Sequence, residues 1–126
     1  IQNYLLRILL IKKMEEINSL SIQEDSLLND AFKQITNTRH RCLLVMTANN
    51  KLSGVLSEGD IIRALINGAH YYSPIKEWIT RNYKFLNEYN KKDSIVLFKK
   101  YGITLLPIVD KQMRVKSFIS IYDFLD

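Results

Sequence analysis

Cysteine, glycine and proline are scarce in this 126-residue chain, which contains one cysteine, four glycines and two prolines. The single cysteine, Cys42, excludes an internal disulfide, and its place in the apolar segment RCLLVM predicts a buried, inert thiol. This cysteine usage fits a reducing cytoplasm. The glycines are scattered along the chain, so they form no phosphate-binding glycine loop.

Long hydrophobic runs are also absent. No uninterrupted apolar segment approaches the ~18 residues that a membrane-spanning helix needs. Arg7 splits the apolar start of the chain, and no small-residue cleavage site follows, so the pattern does not fit a signal peptide. The chain does not begin with methionine, which fits a piece of a longer protein whose catalytic part lies elsewhere.

Residue patterns that carry catalysis or bind metals are missing. The two histidines, His40 and His70, have no cysteine or carboxylate at ligand spacing, and no Ser–His or Cys–His pair with a third orienting group is evident. We therefore expect no catalytic residue and no metal site in this chain.

Basic residues exceed acidic ones by 18 to 13, which gives a formal net charge of +5. This mild excess suits a phosphate-bearing ligand, and it is equally compatible with plain solubility. No dense block of lysine and arginine interleaved with aromatic residues is present, so we expect no nucleic-acid partner.

Apolar residues make up 47% of the chain and run through its whole length, which predicts a folded core of ordinary size. Over residues 4–17 they recur near helical spacing and predict a strongly apolar helix. Such a helix either covers the domain or contacts a partner or a second copy, and the pattern leaves both interpretations open.

The strongest signal is an internal repeat. When residues 22–63 are moved forward by 63 positions without a gap, the apolar and turn positions stay in phase. Each half is predicted as strand, helix, strand, strand, helix. Neither half is long enough to form a stable fold alone. Because a one-residue slip would turn every strand side chain to the wrong face, the preserved phase predicts two copies that bury their sheets together. Matched pairs include Leu43 with Leu106, Val45 with Ile108, Ser57 with Ser120, and Asp60 with Asp123.

Each copy places a serine, and an aspartate three residues later, where a strand meets a helix. These are Ser57 and Asp60 in the first copy, and Ser120 and Asp123 in the second. The spacing is that of a helix-capping device, in which the two side chains accept hydrogen bonds from free backbone N–H groups. It also suits a ligand, because a helix N-terminus favours an anion and a carboxylate can accept hydrogen bonds from ribose hydroxyls. Capping and binding can coexist.

The segments LLVMTANNKLSGVLSEGDIIRAL and LLPIVDKQMRVKSFISIYDFL together resemble a tandem pair of cystathionine-β-synthase (CBS) domains, also called a Bateman module. The resemblance covers roughly residues 19–126. It implies an α+β fold, with two β-α-β-β-α repeats packed sheet to sheet with pseudo-twofold symmetry, plus an N-terminal helix. The implied divisions are a linker helix over 1–18, repeat 1 over 19–72 and repeat 2 over 73–126.

CBS pairs are usually non-catalytic, and they bind an adenosine-containing ligand between the repeats to control a linked or partner enzyme. The resemblance therefore implies a regulatory adenine nucleotide and no required cofactor. Such pairs commonly form homodimers, so a ligand-free interaction module remains the alternative. The segments LSEGDIIRALING and ITRNYKFL look most like pairs attached to bacterial sugar-activating enzymes, such as sugar-phosphate nucleotidyltransferases or sialic-acid-type synthases. We expect a cytoplasmic protein that binds neither nucleic acid nor membranes.

The resemblance also implies which residues contact the ligand. Asp60 and Asp123 would hold ribose, while Ser57 and Ser120 would lie beside ribose or phosphate. The second repeat departs from the family pattern at Ser117, where glycine is usual, and its closing helix is short. We therefore expect the site built on the first repeat's serine and aspartate to be the better formed.

Three further positions complete the implied site. Arg41 and Thr104, each at the start of the strand before a hairpin, would face phosphate, and Arg63 would reach phosphate from one helical turn after the first aspartate. Arg41 is equally well interpreted as a surface arginine, and Arg63 as part of a solvated helix face. Adenine would stack against apolar strand residues that fit a core equally well, namely Ile22, Phe85 and Leu106.

Overall fold

Within residues 2–124, the part of the chain that the computed structural model describes, there are four α-helices and five β-strands. Among these residues every side chain is described except that of Leu10. The predicted start of a final helix over 121–126 includes Leu125 and Asp126, which lie outside the described residues. In chain order the elements are α1 (Gln2–Leu20), β1 (Ser21–Gln23), α2 (Leu28–Ile35), β2 (Cys42–Met46), β3 (Leu52–Ser57), α3 (Glu58–Ile66), α4 (Lys91–Tyr101), β4 (Leu105–Val109) and β5 (Val115–Ser120), with short 3-10 helices at Ile75–Glu77 and Ile121–Phe124.

The predicted repeat is present in the fold. In the first half β1 pairs in parallel with β2, and β2 pairs in antiparallel with β3. In the second half β4 pairs in antiparallel with β5, and Leu86 forms a parallel bridge with Ile108 in the place of a first strand. A shift of 63 positions carries the first residue of β2, Cys42, onto the first residue of β4, Leu105. The predicted α+β architecture is confirmed.

The first strand of the second repeat is shorter than the sequence predicts. The repeat predicts this strand over YKFLNE, residues 83–88, but only Leu86 is bridged. Its N–H donates to the Pro107 carbonyl at 3.0 Å, and its carbonyl accepts the N–H of Val109 at 2.9 Å. The first repeat has Leu44 at the position equivalent to Pro107. Because proline has no N–H to donate, the parallel ladder cannot extend toward residue 84 as it does in the first repeat.

The two hairpins share their irregularities as well as their strands. The pairing register shifts before the last residue of β2 and before the last residue of β4. Asn50 and Met113, which occupy equivalent turn positions, have positive φ angles of 61° and 64°. The backbone therefore follows the same path twice, although only the asparagine is a residue type that favours this conformation.

The sheets of the two repeats pack against each other. A buried apolar cluster joins them, and helix-facing clusters lie on their outer sides. Among the described side chains of the apolar N-terminal helix, those of its last turns reach this core: Leu20 is buried and Ile17 is partly buried, whereas Tyr4 and Leu9 are more than 60% exposed. The joining cluster comprises Leu20, Leu44, Met46, Leu52, Leu105, Val109 and Phe118.

The segment that connects the two repeats lies against the outer edge of β3. Thr80 forms a bridge with Val55, and the two residues exchange backbone hydrogen bonds of 3.0 and 2.8 Å. This close approach requires glycine at position 54, because a Cβ there would contact Ile79 and lie 2.7 Å from the Thr80 carbonyl oxygen. The equivalent residue of the second repeat is Ser117, which keeps its side chain.

His40 joins the two repeats from the loop before β2. Its side chain is buried, its ring lies edge-on to Phe118, and its carbonyl oxygen accepts a 3.4 Å hydrogen bond from the Thr104 hydroxyl. Burial lowers the pKa of this imidazole, and the neighbouring positive charge of Arg39 lowers it further. The fold therefore favours the neutral histidine.

We expect the substitution Gly54→Ala to destabilise the fold by about 1–3 kcal/mol, because the added methyl group forces the connecting segment away from β3. The matched control is Ser117→Ala at the equivalent position of β5, where we expect a change within about 0.5 kcal/mol. Urea unfolding followed by circular dichroism measures both free energies of unfolding. Equal losses from the two substitutions would contradict the close approach at position 54.

We expect the stability of the protein to fall as the pH drops from 7.5 to 5.5. A histidine whose pKa is lowered in the folded state binds protons more readily when unfolded, so its contribution is present above the unfolded value near 6.5 and is lost as the pH falls toward the folded value. One proton contributes at most about 1.4 kcal/mol per pH unit.

The measurement is the free energy of unfolding across this pH range for the protein and for His40→Asn. The variant should show a shallower dependence. Parallel curves for the two proteins would show that His40 does not titrate in this range.

Candidate functional site

A cleft of about 530 Å³ opens between the two repeats. Ligand pockets for small molecules typically measure ~300–1,000 Å³, so the cleft has the size for a nucleotide. Its walls come from the loop before β2, the start of α3, the connecting segment after Ile79, and the loop before β4. The lining residues are Arg39, His40, Arg41, Cys42, Val55, Ser57, Asp60, Thr80, Asn82, Tyr83, Lys84, Tyr101, Gly102, Ile103, Thr104, Leu105 and Tyr122.

Ser57 and Asp60 lie at the point where β3 passes into α3, and they cap the helix reciprocally. The N–H of Asp60 donates to the Ser57 hydroxyl oxygen at 3.1 Å, and the N–H of Ser57 donates to the Asp60 carboxylate at 2.8 Å. This is the capping box that the spacing allows. Both residues also line the cleft, so the structure places the cap and the candidate site at the same helix N-terminus.

The carboxylate of Asp60 is 3% exposed and has further partners. The Thr80 hydroxyl lies 3.2 and 3.3 Å from its two oxygens, and the Arg63 guanidinium forms an ion pair with it. Arg63 is thus directed at the aspartate rather than at the open cleft. Sequence reasoning missed Thr80, although a glycine inside a strand, Gly54, is a signal that another segment approaches closely.

The rim of the cleft is cationic. Arg39, Arg41 and Lys84 all line it, and Asp60 is the one acidic residue among the lining residues. Arg41 lies 3.6 Å from Glu58 in an exposed ion pair and has a positive φ of 52°, a conformation that non-glycine residues seldom adopt. Exposed pairs of this kind contribute little, so the arginine remains available to an anion.

Aromatic and apolar side chains form the interior of the cleft. The Arg39 guanidinium lies 5.0 Å from the ring centre of Tyr122, and the Lys84 ammonium lies 4.5 Å from that of Tyr101. Burial raises the pKa of the Tyr83 phenol, so this side chain stays neutral. None of the three predicted adenine-stacking residues lines the cleft. Ile22 and Leu106 are in the core, and Phe85 is partly exposed.

Cys42 lies at the inner wall of the cleft. Burial raises the pKa of its thiol to about 12, with a smaller contribution from the negative charge of Asp60. A thiol that stays protonated at neutral pH is a poor nucleophile and a poor metal ligand. Among the described residues, no group of three or more histidine, cysteine, aspartate or glutamate side chains could hold a metal ion.

The second copy of the serine–aspartate pair is placed differently. The Ser120 N–H donates to the Asp123 carboxylate at 3.0 Å, and the Tyr122 N–H donates to the Ser120 hydroxyl oxygen at 3.1 Å. Ser120 is 1% exposed, and Asp123 borders a separate cleft of about 430 Å³, where Lys13 lies 4.0 Å from its carboxylate. Neither residue lines the main cleft.

Four of the seven residues that the sequence singled out therefore meet in the main cleft, and a fifth contacts one of them. Those in the cleft are Arg41, Ser57, Asp60 and Thr104, the contacting residue is Arg63, and the two outside it are Ser120 and Asp123. No helix in the described part of the chain is long and apolar enough to cross a membrane.

Residues 11–67 match the family described as CBS domain. Inosine-5′-monophosphate dehydrogenase of Aquifex aeolicus (strain VF5) is 28% identical over 124 residues, which cover 91% of this chain and 24% of that protein. Arabinose 5-phosphate isomerase GutQ of Escherichia coli (strain K12) is 27% identical over 96 residues, which cover 75% of this chain and 30% of that protein. The chain thus spans less than a third of the length of these curated relatives.

Solved structures share the fold over more than four-fifths of the chain. A CBS domain pair/ACT domain protein from Thermotoga maritima has a TM-score of 0.70 at 20% identity, covering 83% of this chain and 84% of that one. A CBS domain protein from Pyrobaculum aerophilum, complexed with AMP, has a TM-score of 0.71 at 17% identity, covering 82% and 81%. The CBS domain pair of protein MJ0100, in complex with 5′-methylthioadenosine and S-adenosyl-L-methionine, has a TM-score of 0.71 at 24% identity, covering 84% of each chain. Residues 11–67 thus match a CBS domain, and the two repeats together have the fold of a tandem pair of CBS domains.

Proposed function

We propose that the chain is a regulatory module that binds an adenosine-containing ligand of the AMP, ADP or ATP class between its repeats and controls a linked or partner enzyme. The observation that carries this proposal is the cleft of about 530 Å³, where a cationic rim and the N-terminus of α3 converge. The module itself is non-catalytic and needs no cofactor. A cytoplasmic location, and the absence of nucleic-acid and membrane partners, belong to the same proposal.

The phosphate of the ligand binds at the rim. Arg39, Arg41 and Lys84 supply three positive charges there, and the Thr104 hydroxyl, which donates to the His40 carbonyl oxygen, lies beside the two arginines. The partial positive charge at the start of α3 acts in the same direction. Arginine is suited to this role, because its planar guanidinium can donate two parallel hydrogen bonds to one phosphate group.

The ribose of the ligand binds at Ser57 and Asp60. The Asp60 carboxylate is surrounded by the Ser57 N–H, the Thr80 hydroxyl and Arg63. Asp60 is buried, and Arg63 is its partner with an exposed side chain, so a ribose hydroxyl reaches the carboxylate by displacing Arg63. Arg63 then becomes free to contact phosphate, and Ser57 continues to cap the helix.

The base of the ligand binds among the apolar and aromatic side chains of the cleft, including Val55, Tyr83 and Ile103. The structures with AMP, and with 5′-methylthioadenosine and S-adenosyl-L-methionine, support an adenosine ligand for this shared fold. The second serine–aspartate pair, Ser120 and Asp123, would then serve chiefly as a helix cap.

The partner is a catalytic domain. The two relatives are named as enzymes, and this chain matches less than a third of each, so most of each relative lies outside the match. We place the linker helix at 1–18, repeat 1 at 19–72 and repeat 2 at 73–126, and the linker helix would connect to the catalytic part. An origin in a bacterial sugar-activating enzyme fits the isomerase relative.

A second candidate function is a ligand-free interaction module that forms homodimers. The observation in its favour is an apolar patch on the outer helices of the first repeat. On α3, Ile62 is 50% exposed and Ile66 is 78% exposed, and Phe32 of α2 is 47% exposed. A patch of this kind often marks a contact with another protein. Dimerisation and ligand binding use different surfaces, so both can hold.

Adenine nucleotides should raise the melting temperature of the protein. A ligand at 100 times its dissociation constant stabilises the fold by about 2.7 kcal/mol. We would compare AMP, ADP, ATP, S-adenosylmethionine and NAD by differential scanning fluorimetry. No shift with any of the five would favour the ligand-free interaction module.

The substitution Arg41→Asn should weaken binding of the best nucleotide by about 10- to 100-fold, as expected for the loss of a charge-assisted hydrogen bond. Asparagine tolerates the positive φ at this position, so the fold should keep its stability. The matched control is Lys92→Asn, which removes an exposed positive charge on α4, outside the cleft lining. Isothermal titration calorimetry measures the affinities, and equal affinities for the two variants would remove Arg41 from the site.

A further inference from the structure

The two repeats are not equivalent around their serine–aspartate pairs. A shift of 63 positions carries Ser57 onto Ser120, and the strands on which they lie match residue for residue. Ser57 lines the open cleft, whereas Ser120 is 1% exposed and does not. The space beside Ser120 that is equivalent to the open cleft beside Ser57 is therefore filled by another part of the chain.

The side chain of His40 fills this space. Its Nδ1 atom lies 3.4 Å from the Ser120 hydroxyl oxygen. Its ring lies at 77° to Phe118, with 5.6 Å between ring centres, and at 47° to Tyr122, with 6.0 Å between centres. Phe118 is the equivalent of Val55, which lines the open cleft. A planar heteroaromatic ring thus lies beside the serine and the strand residue that are equivalent to those exposed in the first repeat.

The aspartate of the second repeat also has a different neighbour. Asp60 is contacted by the Thr80 hydroxyl from the connecting segment. Asp123 instead faces α1, where the Lys13 ammonium lies 4.0 Å from its carboxylate and 3.9 Å from the centre of the Phe118 ring. The helix and the histidine together separate Asp123 from the main cleft.

We propose that His40 occupies the second ligand position from within, so that each chain binds one nucleotide, at Ser57 and Asp60, and the second position becomes available only when the imidazole is removed. This inference rests on the proposed function, and it adds the stoichiometry and the residue that sets it. His40 and Tyr122 both line the main cleft, so the space vacated by the imidazole is continuous with that cleft.

Calorimetric titration of the chain with AMP tests the stoichiometry. We expect one AMP per chain for the unmodified protein and two per chain for His40→Gly. The added binding should disappear when Asp123→Asn is combined with His40→Gly, while the first site remains. His40→Ala is a second variant in case the glycine destabilises the loop, and far-ultraviolet circular dichroism checks that each variant is folded.

Two AMP molecules bound to the unmodified chain would overturn the inference and leave the proposed function intact. A folded His40→Gly or His40→Ala protein that still binds one AMP would also overturn it. No binding of any nucleotide to the unmodified chain would instead refute the proposed function. If neither variant folds, the number of AMP molecules bound per unmodified chain tests the inference, since two AMP molecules per chain contradict an occupied second position.

Discussion

The apolar contact between the two sheets is the constraint on which the rest of the structure depends. Each sheet buries one face under its own helices and leaves the other face to the opposite repeat. Burying one large apolar side chain contributes about 1.5–3 kcal/mol, and the joining cluster contains seven such residues. Neither repeat could leave this face in water, so the pairing of the repeats and the cleft between them arise from one requirement.

At the cleft, the cap that stabilises α3 coincides with the proposed ligand site. The start of α3 needs acceptors for its free N–H groups, and Ser57 and Asp60 supply them. The same helix start presents a partial positive charge to the cleft, next to the arginines of the rim. Ser57 lines the open cleft, whereas its equivalent in the second repeat, Ser120, is buried against His40.

The repeats keep the same strands and differ in what covers them. The pairing register and the hairpin turns are repeated because the shared core allows no slip. The outer edges are less constrained: the connecting segment lies against β3 at Gly54, and α1 approaches β5 at Phe118. Sequence reasoning predicted the repeat, the strands and four of the cleft residues, but it placed adenine on core positions such as Leu106 because apolar strand residues look alike on either face.

The sequence by itself determined most of the strands and helices, the serine–aspartate caps, and that the unit occurs twice, because these features follow from local periodicity and from a repeat in phase. Only the tertiary structure decided which polar groups meet across the fold. Thr80 contacts Asp60 from 20 positions away, and His40 lies against Ser120 from 80 positions away. Such pairs depend on how two sheets and their connections pack, and no spacing along the chain encodes that geometry.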